Sequence, residues 1–420
     1  MKPNGRSTIF PRVSRLLLLG ASLLLGGLAP ATATETIKIG VLAPLSGNAA
    51  ADGQEMVRGT ELAVDELNAA GGVNGYTFAV VVGDTKDQAS DAVTSAFERL
   101  NGDKAVQVMM TGYASGSNFE IESMADNDMP YLISANSAQT RDIVAKDPAS
   151  FPTVWSLTPS YDAYETGVLP ALQQLETDGK ISLKTKKLAL IGSDNPYSKT
   201  IYNGVKKSFT AAGWTVTVDE MVPFGQVNDW RAILAKVRND PPDVVINTDY
   251  LPGNEATFLA QFLEAPTNSL LFLQYAPSVP EFVKLTADKS TGVLYDLLAG
   301  PILSPKNTYA KTIGDKFKAK YGVESGTYGI SLYEEVMMYV DALKKVGKPD
   351  DHKAIGAALG ATDKETALGH IVFDPATHLA RQGDDFVPLQ FYQLRGGERV
   401  MLSPAKFATG TFALPPWMKK

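Results

Sequence analysis

The chain has 420 residues, 44% of them hydrophobic, no cysteine and a formal net charge of −7. Without cysteine there is no disulfide, no thiolate metal site and no lipidated N-terminal Cys. The acidic balance argues against binding nucleic acid through phosphate neutralisation, and the length calls for two domains rather than one.

In chain order, Arg12 and Arg15 precede an apolar stretch from Leu16 to Leu28, and Ala31-Thr32-Ala33 follows. A basic segment, a short apolar segment and a small-x-small step form an export signal, with cleavage expected after Ala33. The apolar stretch is too short to span a bilayer as a helix, and no later run of about 18 apolar residues occurs, so the mature chain is expected to be soluble. Loss of Lys2, Arg6, Arg12 and Arg15 takes the net charge from −7 to −11.

Short β-branched and aliphatic runs then alternate with amphipathic stretches. Strands are expected at Ile37–Leu42, Thr77–Val82, Val106–Met110, Tyr131–Ser134, Leu188–Ile191, Val216–Val218, Val244–Asn247 and Leu270–Leu273. Helices are expected at Met56–Ala69, Ala89–Leu100, Lys199–Ala211, Arg231–Val237 and Ala256–Leu263. Such alternation implies right-handed βαβ units and a doubly wound α/β fold. Two helix exits are alike, Leu67-Asn-Ala-Ala-Gly-Gly72 and Phe209-Thr-Ala-Ala-Gly-Trp214; each ends on a glycine stop before a strand, which suggests two similarly built lobes. The Pro- and Ser-rich stretch Phe151–Tyr164 and the segment Gly300–Lys306 are candidate boundaries. Val387–Leu394 alternates like a strand, and Arg395-Gly-Gly-Glu398 turns it into Val400–Leu402.

The chain has no GxSxG, no HExxH, no GxxxxGK[ST] and no GxGxxG after a strand, so hydrolase, metalloprotease and nucleotide chemistry have no motif here. No metal site and no cofactor are expected. His352, His370 and His378 have no His at i+4 and are expected to be structural. Asp84-Thr-Lys-Asp87 is expected to be a polar loop that caps the next helix. In open α/β sheets ligands bind beyond the carboxyl ends of the strands. The loops expected there are Pro44–Gln54, Thr111–Ser117, Ala135–Thr140, Ser193–Ser198, Thr248–Asn254 and Gln274–Ser278. Their hydroxyls, amides and aromatic rings suit a small polar ligand.

The segments IGVLAPLSG, RGTELAVDELNAAGGVNG, VGDTKD, MPYLISANSAQT, LALIGSDNPYSKTIYNGVKKSFTAAG and DVVINTDYLP occur in this order along nearly the whole mature chain. The series resembles the type I periplasmic solute-binding proteins of ABC importers, in the leucine/isoleucine/valine-binding group. The resemblance implies two doubly wound parallel-sheet lobes joined by three crossovers, closing on ligand like a hinge. On that pattern one lobe is about 36–158 plus 302–388 and the other about 159–301 plus 389–420. It implies a periplasmic monomer that delivers a small polar solute to an ABC permease in the inner membrane, without enzymatic activity; a sensory receptor subunit of the same fold is the alternative.

By position, Ser115 matches the family's carboxylate-binding Ser, and backbone contacts fall near Asn136 and Ala138. Tyr197 and Tyr250 match aromatic positions of the second lobe. Two departures stand out. An aromatic position of the amino-acid binders is Asp52 here, and their acidic partner for the ligand's ammonium falls near Tyr275 or Ala276. A buried ammonium needs a carboxylate, so either Asp52 or Asp249 takes that role or the ligand has no α-ammonium. The expected site is therefore Ser115, Asn136, Ser137 and Ala138 for an anionic or carbonyl end, Asp52 and Asp249 for a cationic or donor group, and Tyr113, Tyr197, Tyr250 and Tyr275 for the apolar part.

Overall fold

The computed structural model describes residues 35–419 except 48, 87, 116 and 117. The export segment with its cleavage point, Asp87 and Ser117 lie outside the described residues.

The chain first lays down a sheet of β1 (Glu35–Ala43), β2 (Tyr76–Asp84), β3 (Val106–Tyr113), β4 (Tyr131–Ala135) and β5 (Val154–Ser156). All pairings are parallel and the spatial order is β2-β1-β3-β4-β5. Helices α1 (Ala50–Ala69), α2 (Ser90–Asn101), α3 (Phe119–Asp126) and α4 (Ala138–Lys146) make the crossovers. Buried runs such as Tyr131–Ala135, covered on both faces, explain the continuous apolar text.

After β5, helix α5 (Asp162–Thr177) leads into a second sheet. It contains β6 (Lys187–Ser193), β7 (Thr215–Val222), β8 (Val244–Asn247), β9 (Leu270–Leu273) and β10 (Leu294–Leu297), connected by α6 (Pro196–Ala211), α7 (Arg231–Asn239), α8 (Pro252–Glu264) and α9 (Pro280–Thr286). These five strands are parallel in the order β7-β6-β8-β9-β10. Renumbered within each lobe, both sheets run 2-1-3-4-5, and each has a topological switch point beside its first strand. The two similar helix exits occupy the same place in each lobe. Gly71 (φ +94°) and Gly213 (φ +80°) end the first helix, and Gly72 N–H and Trp214 N–H donate back five residues to the carbonyls of Leu67 and Phe209. This is a left-handed stop that a Cβ-bearing residue adopts only at a cost.

The chain then continues through α10 (Thr308–Tyr321), α11 (Thr327–Val346) and α12 (His352–Gly360) to a two-stranded hairpin, β11 (Asp363–Thr366) with β12 (Gly369–Val372). Helix α11 packs on α1 and against β3 and β4. Finally β13 (Gln390–Arg395) and β14 (Glu398–Ser403) add to β10 as an antiparallel edge. Their turn has positive φ at Gly396 and Gly397, the two-residue hairpin geometry that suits right-handed strand twist.

Two segments depart from expectation. Phe151–Tyr164 is not wholly irregular, since Val154–Ser156 is a buried strand at the edge of the first sheet. Asp84 does not cap α2, whose N-cap is Ala89 without a side-chain bond; its carboxylate instead accepts the N–H groups of Leu45 and Lys86 and ties two loops together. The histidines make structural contacts. His378 stacks on Trp155 at 4.1 Å, His352 meets Gln107 at 2.8 Å and His370 meets Asp363 at 2.6 Å.

Helix α11 is held by close approach. A Cβ on Gly59 of α1 would land on the carbonyl oxygen of Gly329. Gly59→Ala should therefore force α1 and α11 apart and cost about 1–3 kcal/mol, read as a lowered midpoint in thermal or urea unfolding. A wild-type midpoint would show that the contact relaxes freely.

Candidate functional site

The carboxyl ends of both sheets line one cavity of about 460 Å³. From the first sheet, the loop after β1 enters α1, whose first turn carries Asp52. The end of β3 brings Tyr113 and Ser115, and the β4–α4 loop brings Asn136, Ser137 and Ala138. From the second sheet come Tyr197 after β6, Tyr250 after β8 and Tyr275 after β9. Nine of the ten residues singled out from the sequence thus meet in one cavity.

Asp249 does not line it. Its side chain is fully buried and accepts Leu251 N–H at 3.0 Å and Asn254 Nδ2 at 2.7 Å. Asp249 folds the turn that presents its neighbour Tyr250, so the expectation of a ligand-facing carboxylate there is corrected. Asx residues make such turns because their short side chain reaches backbone two residues on.

Asp52 is placed differently. One carboxylate oxygen accepts the hydroxyl of Tyr275 at 2.9 Å, and the other lies 3.4 Å from the hydroxyl of Tyr113. The phenol of Tyr275 thus reaches across to a carboxylate on the facing lobe. Burial, with Glu55 beside it, raises the Asp52 carboxyl to about 7, although both phenols oppose the rise. Glu55 itself accepts the N–H groups of Gly326 (2.8 Å) and Tyr328 (3.3 Å), which ties α1 to the start of α11.

Ser115 is also engaged by protein. Its hydroxyl donates to Glu120 Oε2 at 2.5 Å and its N–H donates to Glu120 Oε1 at 2.5 Å. Glu120, on α3, is 1% exposed. A ligand carboxylate at Ser115 would meet this second carboxylate directly behind the hydroxyl. Asn136 spends its amide hydrogens on Ser156 Oγ (2.8 Å) and the Thr158 carbonyl (2.9 Å) and braces the edge of the sheet. Ser137 caps α4 through Thr140 N–H, which leaves the first-turn amide of Ala138 without an intrahelical partner.

Four aromatic residues of the wall were not expected: Tyr161, Tyr164, Phe224 and Tyr328. Tyr161 and Tyr164 belong to the segment read as a boundary. Tyr328 belongs to α11, which buries residues around its whole circumference, Glu334 and Glu335 included, and so shows no amphipathic period. Ring contacts join the wall. Tyr113 meets Tyr328 at 5.2 Å, Tyr328 meets Tyr275 at 6.3 Å, Tyr275 meets Tyr197 and Tyr250 at 6.4 Å each, and Tyr197 meets Tyr161 at 5.1 Å. Burial raises the phenols of Tyr113, Tyr161, Tyr197, Tyr275 and Tyr328, so these five are neutral donors at pH 7. Among the described residues, no group of three or more His, Cys, Asp or Glu is arranged to hold a metal.

Carboxyls are raised elsewhere as well. Burial takes Asp296 of β10 to about 8 and Glu334 to about 7. Each of these groups binds a proton in the folded state at a pH where the unfolded chain has lost it. Stability is then fully present below about pH 4 and is lost as pH rises through 7 to 8. The ligand-free protein should melt at a higher temperature at pH 5.5 than at pH 8. An equal or higher midpoint at pH 8 would show that these carboxyls are ionised in the fold.

A family model for the periplasmic binding proteins matches residues 36–398. A Leu/Ile/Val-binding protein homolog of Brucella suis is 29% identical over 391 residues, covering 86% of this chain and 89% of that protein. A leucine-, isoleucine-, valine-, threonine- and alanine-binding protein of Pseudomonas aeruginosa is 27% identical over 365 residues, covering 86% and 92%. A crystal structure from Silicibacter pomeroyi, assigned to a branched-chain amino acid ABC transporter, superposes with a TM-score of 0.82 at 29% identity, over 91% of this chain and all of that one. LivJ of Streptococcus pneumoniae, solved with isoleucine, shares the fold at a TM-score of 0.69 and 22% identity, over 87% of this chain and 98% of that one. With two parallel-sheet lobes and a cavity lined by the carboxyl ends of both, the chain belongs to the periplasmic binding protein family, among the type I proteins of the leucine/isoleucine/valine-binding group.

Proposed function

We propose that the protein captures one small polar solute, an amino acid, an amide or a small carboxylate, and delivers it to an ABC permease of the inner membrane. The lobes, about 36–158 plus 302–388 and about 159–301 plus 389–420, close on the solute about a hinge. The export signal read in residues 1–33 supports a periplasmic location. The observation that carries the reading is the bond from Tyr275 of the second lobe to Asp52 of the first, across a cavity walled by both. A solute held there is held by both lobes, and its binding energy favours the closed arrangement. The family is one of solute-binding proteins, and no enzymatic step is assigned to the cavity.

The ligand set proposed is Asp52 for a positive or donor group, Tyr113, Tyr197, Tyr250 and Tyr275 for the body, and the start of α4 at Ser137 and Ala138 for a carbonyl or carboxylate end. Ser115 and Asn136, which face protein partners, hold the shape of that corner.

Two measurements test this. A screen of amino acids, amides and short acids by thermal shift identifies a ligand, since ligand at a hundred times its Kd stabilises by about 2.7 kcal/mol. With that ligand, small-angle scattering should show a smaller radius of gyration than the free protein, and an unchanged radius would sink hinge closure. For a ligand with a positive nitrogen, Asp52→Asn should weaken binding at least about tenfold. The affinity of the wild type should also fall as pH drops below about 7, because the proton and the ligand compete for the same carboxylate. Undiminished affinity in Asp52→Asn would remove Asp52 from the ligand set.

A further inference from the structure

The cavity wall is unusual in what it lacks. Among the described residues, no Lys, Arg or His lines it. Its charged lining residues are Asp52 and Asp194, and Asp194 is paired with Lys199. Among the described residues its only branched aliphatic side chain larger than Thr is Leu297. Eight aromatic rings supply the large apolar surfaces, beside small alanines and Pro196, and end at Phe224, which stacks on Tyr250 at 6.0 Å and is 41% exposed.

The missing bases have a consequence. An anion has no counter-charge here, and Glu120 behind Ser115 adds to the repulsion. A primary ammonium carries three N–H donors and wants about three acceptors, and Asp52 offers it the lone pairs that its two tyrosine contacts leave. A cation whose charge is spread over alkyl groups needs no acceptors. It needs ring faces, with their negative quadrupole, and a nearby negative charge.

Resting on the solute-capture reading above, we propose that the cavity selects a solute by an alkylated positive nitrogen, a quaternary or N-methylated ammonium, seated against Tyr113, Tyr197, Tyr250, Tyr275 and Tyr328 with Asp52 as its counter-charge. The tyrosine wall supplies the contact surface for the alkyl groups, and the missing bases disfavour a solute of net negative charge. The ligand class is then an N-methylated amino acid or amine, rather than a branched-chain amino acid or a free carboxylate.

The test is calorimetric titration of the purified protein with glycine betaine, choline, leucine, 4-methylpentanoate and 3,3-dimethylbutan-1-ol, the last a neutral carbon isostere of choline. A quaternary cation should bind at least about tenfold tighter than the neutral isostere, the ratio expected of a desolvated cation on aromatic faces. Tyr250→Phe should keep that affinity within about threefold, because it keeps the ring. Tyr250→Leu should lose about tenfold while retaining the wild-type circular dichroism spectrum. Equal binding of cation and isostere, or binding of leucine or 4-methylpentanoate without binding of either quaternary probe, overturns the proposal and leaves solute capture standing. No binding by any probe here, together with no hit in the wider solute screen, overturns both.

Discussion

Parallel strands joined by right-handed crossovers deliver every outgoing loop to the same edge of the sheet. Built twice in the same strand order, this constraint yields two edges of loops, and both edges contribute to one cavity. Asp52 can meet Tyr275, 223 residues later in the chain, only because each lies just past the carboxyl end of a strand in its own lobe. The crossovers also explain why so much of the molecule is scaffold. Helix α11 and its buried carboxylates serve to brace the strands that aim the loops, as when Ser134 of β4 donates to Glu335 at 2.6 Å.

The electrostatics of the cavity follow from burial without bases. A carboxyl removed from water favours its neutral form, as at Asp52 in the cavity wall and at Asp296 and Glu334 away from it, which are raised to about 7 or 8. At Asp52 this has a functional side. The group sits near the midpoint between acid and anion, so a positive ligand can draw it fully into the charged form, and the gain in attraction comes with release of a proton. The tyrosine hydroxyls that hold it are neutral donors, so they orient the carboxylate without cancelling its charge. The charge is therefore available to a ligand and shielded from collapse onto a lysine or arginine.

Much of the fold could be read from text. The β-branched runs, the glycine stops at Gly71 and Gly213 and the Gly-Gly hairpin turn are local signals, and local physics decides them. Elements that escaped notice had no such signal. The strand Leu294–Leu297 carries a buried Asp296, which reads as loop until its neighbours are known. Helix α11 has no polar face, so its period is masked. At the site, the loops at strand ends and the resemblance to the type I binding proteins together pointed to nine lining residues. Tyr161, Tyr164, Phe224 and Tyr328 were hidden because they reach the cavity from a crossover, a strand-to-helix loop and a helix start that the reading had not placed.

Residue chemistry alone determined that this chain is an α/β protein without a recognised catalytic motif, with an acid at position 52 and aromatic residues after several strands. Direction was left to the tertiary structure. Asp249 and Asp52 are equal candidates as text, yet one carboxylate turns inward to Leu251 and Asn254 while the other faces the cavity between two phenols. Ser115 reads as a ligand hydroxyl, and in the fold its proton belongs to Glu120. Sequence specifies which groups are present, but a hydrogen bond depends on where a donor points to within a few tenths of an ångström, and only the packed fold, within each lobe for Asp249 and Ser115 and between lobes for Asp52, sets that.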